Sequence, residues 1–296
     1  MKALAALVAV TAIWGVTFVQ IKDALELYPL FAFLAVRFAI AVVTLAPVAG
    51  PRLRTLGRDG PTAGAALGAL LAVGYALQTA GLERTTVSAA GFVTGMYVVL
   101  TPVFGVLLFR THAGATVWVG VAFAVAGLAM LSGVEAGSVS GDLLVLAGAS
   151  AYAVQIVLME RFAPRFDPLA FTMCEMAAAF VGFTVVALAL GQVEVPRGWT
   201  VWGALLVTGV FASALGYLVQ AWAQRRTSAT RTALLFALEP VFAGIFGYAL
   251  AGDRLGWLGW TGCAVIMTGI AIAEPAAARV LSRAVRRGAI TEGARA

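Results

Sequence analysis

A carboxylate stands beside a proline in the middle of an apolar run. Leu238-Glu239-Pro240 sits inside residues 232–250, TALLFALEPVFAGIFGYAL. Facing lipid, such a charge costs roughly 2.5–3.5 kcal/mol on insertion scales. The proline removes a backbone donor and loosens a helix one turn back. A charge and a helix break at one depth point to a lined cavity rather than a plain anchor. Glu239 therefore has two readings. It is either a cavity carboxylate that binds a cationic group or takes up a proton, or a hydrogen-bonded residue that braces the break at Pro240. An echo lies at Val99-Leu100-Thr101-Pro102-Val103-Phe104, which keeps the proline and has Thr101 in place of the acid.

Two more charges lie inside apolar runs. Arg37 is eight residues in from Pro29 and Glu175 is seven in from Pro168, so each is about 10–12 Å deep at the helical rise. Both need partners or water there. They can pair with each other, serve as a structural or snorkelling pair, or contact a ligand. Tyr75 with Gln78, and Tyr217 with Gln220, are spaced to share a helix face. A phenol and an amide on one face exchange hydrogen bonds with a polar or zwitterionic ligand; the alternative is an interfacial tyrosine belt. Trp14, Thr17 and Gln20 form one stripe, and Tyr152 with Gln155 another. Gly91, Thr94, Gly95 and Val98 make a narrow face suited to helix packing. Met96 and Tyr97 beside it suit an aromatic or apolar ligand. Trp222 and Gln224 read as membrane-surface anchors, and His112 as a solvated loop residue.

No catalytic pattern accompanies these residues. The chain has no glycine-rich phosphate loop followed by Lys and Ser/Thr, and no Gly-x-Ser-x-Gly. One histidine and two cysteines inside apolar runs, Cys174 and Cys263, build neither a zinc site nor a disulfide framework. The expectation is a protein that is not an enzyme, with no cofactor and no metal.

The elements that position these groups follow from composition. The chain is 61% hydrophobic and 11% charged, against roughly 25% charged residues in soluble domains, and its mean hydropathy is +0.96. Lipid must solvate much of such a surface. Ten segments of about 20 apolar residues, the length that spans a bilayer, can be laid down: 2–21, 29–49, 62–81, 87–109, 115–133, 141–161, 169–190, 199–223, 229–250 and 257–273. The first is read as a retained helix, since no small-x-small cleavage site follows it. Fifteen Lys and Arg fall on the side of the N-terminus and four on the other, which predicts both termini in the cytoplasm. This bias also accounts for the net charge of +6 without nucleic acid. The basic tail, 276–296, is expected to be cytoplasmic.

The chain then compares with itself. Tyr75 and Gln78 match Tyr217 and Gln220 at an offset of 142, as do Trp118, Gly120 and Gly127 with Trp260, Gly262 and Gly269. Trp14 meets Tyr152 and Arg37 meets Glu175 at 138, the offset of Pro102 and Pro240. Five helices per copy is an odd number, so the second copy enters the membrane from the opposite side. The expected fold is an all-α polytopic membrane protein, ten transmembrane helices as two inverted five-helix repeats, residues 1–137 and 138–275. That architecture recurs in secondary transporters.

Trp14-Gly15, the Leu-x-Pro of the fourth segment, Leu238-Glu239-Pro240 of the ninth and the glycine-bearing fifth and tenth resemble EamA-type members of the drug/metabolite transporter superfamily. The resemblance covers about residues 3–274. It implies a basket-like cavity lined by helices 1, 3, 4, 6, 8 and 9, and export of amino acids or other small metabolites. The expectation is a multi-pass transporter of the plasma or inner membrane, a monomer or weak homodimer, working by alternating access. Its small-molecule substrate is met by Trp14, Thr17, Tyr75, Gln78, Tyr97, Tyr152, Gln155, Tyr217, Gln220 and Glu239. Coupling or gating falls to Glu239, Pro240, Pro102, Glu175 and Arg37. The rivals are an organic cation or drug exporter and a non-transporting accessory or scaffold protein.

Overall fold

The computed structural model describes residues 2–82, 84–85, 87–132, 138–246 and 256–273. The basic tail and the end of the ninth segment lie outside them. Helices run α1 Lys2–Leu25, α2 Leu30–Ala49, α3 Asp59–Leu82, α4 Val87–Gly95, α5 Tyr97–Phe109 and α6 Ala115–Ser132. They continue as α7 Val139–Phe162, α8 Pro168–Ala189, α9 Gly198–Val207, α10 Gly216–Gln224, α11 Ala229–Phe236, α12 Glu239–Phe246 and α13 Trp257–Ala273. No strand occurs among the described residues. Helices satisfy their own backbone groups, which is what a chain in lipid requires. Six helical stretches are long and apolar enough to cross a membrane, and three shorter apolar helices accompany them. The protein is an all-helical, polytopic membrane protein.

Local sequence sets the helix ends. Asp167 accepts from the backbone N–H groups of Leu169 and Ala170, each at 3.1 Å, and Pro168 takes the first position of α8. An acceptor and a preset φ at that end satisfy donors the helix leaves free. Ser138 and Ser228 cap α7 and α11 in the same way. Outward residues such as Val181, Val185 and Leu188 of α8 and Leu107 of α5 are exposed, as lipid-facing positions should be.

Three expected spans are interrupted. Residues 87–109 divide at Met96 into α4 and α5, and 229–250 divides at Ala237–Leu238 into α11 and α12. Between α9 and α10 the helix widens into a π-wound stretch, Thr208–Leu215.

Packing pairs elements from the two halves of the chain. The main contacts are α6 on α13, α3 on α7 and α8, α2 on α8, and α1 on α9 through α12. Small residues let the backbones close. A Cβ on Gly127 would stand 2.6 Å from the Gly262 carbonyl, and one on Gly120 would stand 2.7 Å from that of Gly269. A Cβ on Gly15 would lie 2.6 Å from Phe242 Cβ, so Gly15 is what brings α12 onto α1. In α4, Gly95 packs on Leu128, but a Cβ on Gly91 would meet no neighbouring element within 4 Å. The packing face expected there is therefore confined to its Gly95 end.

Candidate functional site

The two broken helices set the site. Tyr97 is the first residue of α5 and Glu239 the first of α12; they are 142 residues apart, the offset of the flanking helices. The breaks therefore correspond to each other, and the prolines do not. Pro240 is the second residue of α12, where its missing N–H costs little. Pro102 rides sixth in a continuous α5, with Thr101 Oγ1 donating to the Tyr97 carbonyl at 2.7 Å. Leu100-Thr101-Pro102 thus interrupts no helix, and the break on this side falls at Met96 instead. By break register the counterpart of Glu239 is Tyr97 rather than Thr101. Tyr97 is buried and Glu239 half-buried. Arg37, Tyr97 and Tyr152 all lie within electrostatic range of Glu239, and no hydrogen bond or ion pair holds its carboxylate among the described residues.

An aromatic cluster forms around this point. The hydroxyls of Tyr75 (α3) and Tyr217 (α10) are 3.4 Å apart. Tyr152 of α7 stands edge-on to Tyr75 at 5.4 Å and donates to Gln78 Oε1 at 3.1 Å. Gln78 Nε2 donates in turn to Thr94 Oγ1 at 2.9 Å. Trp14 of α1 lies 5.7 Å from Tyr217 and 4.8 Å from Phe236, between ring centroids. Its Nε1–H donates to the Ala212 carbonyl at 2.9 Å, inside the π-wound stretch. Such stretches free a carbonyl from the regular ladder and are frequent at functional sites. Thr17 is buried but donates to the Trp14 carbonyl of its own helix, so its hydroxyl steadies α1 rather than facing outward. Gln20, on the same stripe, is exposed.

Arg37 and Glu175 do not pair, which corrects the sequence expectation; depth alone left their directions around the helix axes open. Arg37 Nε–H donates to Ser213 Oγ at 2.8 Å, and the guanidinium carbon lies 5.5 Å from the Tyr75 ring and 5.7 Å from that of Phe38. Glu175, fully buried, accepts from Gln155 Nε2 at 2.7 Å. Its other oxygen has no partner among the described residues. From there an amide chain runs on: Gln220 Nε2 donates to Gln155 Oε1 at 3.1 Å and to Gln224 Oε1 at 2.9 Å. Gln224 Nε2 closes it on the Ile156 carbonyl at 2.8 Å. Gln224 is thus a buried link and not a surface anchor.

The fold brings Trp14, Tyr75, Gln78, Tyr97, Tyr152, Tyr217, Arg37 and Glu239 into one neighbourhood, and Gln155, Gln220 and Glu175 into a second beside it. Sequence reasoning missed Ser213 and the π-wound stretch. The only local signal is the pair Gly209 and Gly216, which let Ile40 and Trp14 approach. A separate cavity lined by Arg52, Asp167, Leu218, Trp222 and Arg225 holds none of these residues. No group of acidic, His or Cys residues that could hold a metal occurs among the described residues.

The model of the EamA-like transporter family matches residues 1–133 and 139–273. An uncharacterized transporter of Archaeoglobus fulgidus is 30% identical over 272 residues, covering 90% of this chain and 83% of its own. The uncharacterized inner membrane transporter YedA of Escherichia coli K12 is 28% identical over 280 residues, with coverage of 90% and 89%. A solved crystal structure superposes with a TM-score of 0.79 at 18% identity, over 94% of this chain and 98% of that one. That last likeness is one of fold.

Proposed function

The chain belongs to the EamA-like transporter family, and from that premise we propose that it exports a small amphipathic metabolite as a secondary transporter. The repeats are residues 1–137 and 138–275, ten membrane-crossing segments with both termini and the tail 276–296 in the cytoplasm of a plasma or inner membrane. The two halves rock about the site in alternating access.

One observation carries this reading: the halves meet through exchanged pairs. Trp14 packs on Tyr217 while Tyr152 packs on Tyr75, and each member of the first pair has its counterpart in the second. An inverted repeat around a midplane site gives that crossing of partners. Substrate contact falls to the aromatic cluster, to Gln78 and to Glu239. The break before Glu239 supplies the moving part, and Glu239 and Glu175 are the candidate proton carriers.

The test is a metabolite-export profile of cells overexpressing the chain against cells carrying Glu239→Gln. A compound exported by the first and not the second supports the reading. Identical profiles for both, and for empty cells, point to a non-transporting membrane protein. Flux of that compound in proteoliposomes at two imposed proton gradients then decides the coupling; equal flux removes the proton.

A further inference from the structure

Arg37 is 4% exposed, and among the described residues only its Nε–H is hydrogen-bonded, to Ser213. The terminal nitrogens of the guanidinium have no acceptor there. The rings of Tyr75 and Phe38 lie beside it, 5.5 and 5.7 Å from the guanidinium carbon and 5.9 Å from each other. These rings attract a cation but do not replace a counter-ion. Burying a cation without one is costly. Glu239, from the other half of the chain, lies within electrostatic range of Arg37. The two form no ion pair, and Tyr75, Tyr152 and Tyr217 are grouped in the same neighbourhood. A planar fork of free donors, a group of edge-on rings and a separate carboxylate thus share one site.

A fork of this shape matches a carboxylate with two parallel N–H···O bonds. We propose that Arg37 is the residue that receives a carboxylate of the cargo, so that the site requires this group on an aromatic or apolar body. Glu239 faces the cargo's ammonium and disfavours a plain acid. Ser213 holds the Arg37 fork in place from the π-wound stretch, and the partly exposed rings of Tyr75 and Tyr152 take the body. An organic cation without a carboxylate leaves Arg37 uncompensated and is excluded on that ground. This inference rests on the transport reading above and adds the group that selects the cargo.

The experiment is equilibrium binding of radiolabelled phenylalanine to the purified full chain, competed by phenethylamine, which lacks the carboxylate, and by 3-phenylpropionate, which lacks the ammonium. Phenethylamine is expected to compete at least about tenfold more weakly than unlabelled phenylalanine, since a buried donor left unpaired penalises the analogue. In Arg37→Gln that gap closes, because phenylalanine weakens and phenethylamine does not. Arg37→Lys keeps the charge, loses the fork and gives an intermediate gap, which serves if the Gln variant does not fold. Equal competition by phenylalanine and phenethylamine in the wild type overturns the proposal, as does a gap that survives both substitutions. Failure of phenylalanine to bind also overturns it; an export profile that still shows a cargo then leaves the transport reading standing.

Discussion

The hydroxyls of Tyr75 and Tyr217 lie 3.4 Å apart, and these residues are the same position of the two halves, 142 residues apart. A residue that touches its own counterpart sits where an axis exchanging the halves would pass. The neighbours agree: Gly120 meets Gly269 and Gly127 meets Gly262, again with partners crossed. A single long hydrogen bond of this kind contributes about 0.5–1.5 kcal/mol. Tyr75→Phe and Tyr217→Phe should each lower stability by no more than that. Because they share one contact, the double variant should cost less than the two losses added together. Thermal unfolding of the four proteins measures the coupling; strict additivity would show that the hydroxyls ignore each other.

The crossed glycines set the distance between α6 and α13. Gly127→Val places carbons against the Gly262 carbonyl and Ile266, where even a Cβ is 2.6 Å from each. Overpacking of this sort costs about 1–3 kcal/mol, and Gly269→Val should cost the same. Gly91→Ala has open space around it and should be neutral, or slightly stabilising because alanine favours the helix by about 0.8–1.0 kcal/mol. A Gly127→Val protein as stable as Gly91→Ala would place the α6–α13 contact elsewhere.

How far the sequence carried depends on what kind of physics each feature has. Membrane class and all-helical build follow from apolar runs of bilayer length, because lipid constrains composition along the whole segment. The break before Glu239 was legible because a proline stands beside it. The matching break at Met96 was not, since it has only Gly95 beside it while Pro102 rides inside α5. Depth along a helix could be counted for Arg37 and Glu175, but direction around the axis could not, and each took a polar partner from a different helix. The π-wound stretch is an insertion in the hydrogen-bond ladder with no residue type that marks it, so Ser213 stayed hidden.

Glu175 anchors the amide chain through one oxygen. Glu175→Gln keeps an acceptor for Gln155 and should change stability by less than about 1 kcal/mol. Glu175→Leu strands the Gln155 amide in a buried site, and an orphaned donor costs about 1–3 kcal/mol. Gln155→Leu removes an acceptor from Gln220 as well and should be the most destabilising of the three. Denaturation midpoints rank them; an inverted order between Glu175→Gln and Glu175→Leu would mean the oxygen is not what holds the chain.

Outside the spanning helices, Tyr28 ties the two halves at one face of the bundle. Its hydroxyl donates to the Glu194 carbonyl at 2.5 Å, and Gln192 Oε1 accepts from the Phe31 backbone nearby. Burial, and then the Glu194 charge, hold the Tyr28 hydroxyl above its ordinary value. A raised pKa means that folding favours the protonated phenol. Its contribution is therefore complete below the unfolded value of about 10 and is lost as pH rises through the folded one. Tyr28→Phe should abolish that share of the alkaline loss. Unfolding curves taken from pH 8 to 11 on both proteins check this, and superimposable alkaline slopes would assign the loss to other groups.

Pro240 and Pro102 look alike in sequence and differ in place, so alanine should separate them. Pro240→Ala restores an N–H one turn after Phe236, at the point where α11 stops and α12 begins. The two half-helices can then join, and a joined helix has lost the hinge that the alternating access proposed above needs. Stability should hold or rise by about 1 kcal/mol while flux falls, with kcat and KM moving together as hinge variants do. Pro102→Ala relieves a proline already accommodated within α5, worth up to about 3 kcal/mol in a helix interior. It leaves the break at Met96 untouched, so flux should persist in a more stable protein. Equal loss of flux in the two variants would return the hinge to both prolines and remove the distinction drawn from the breaks.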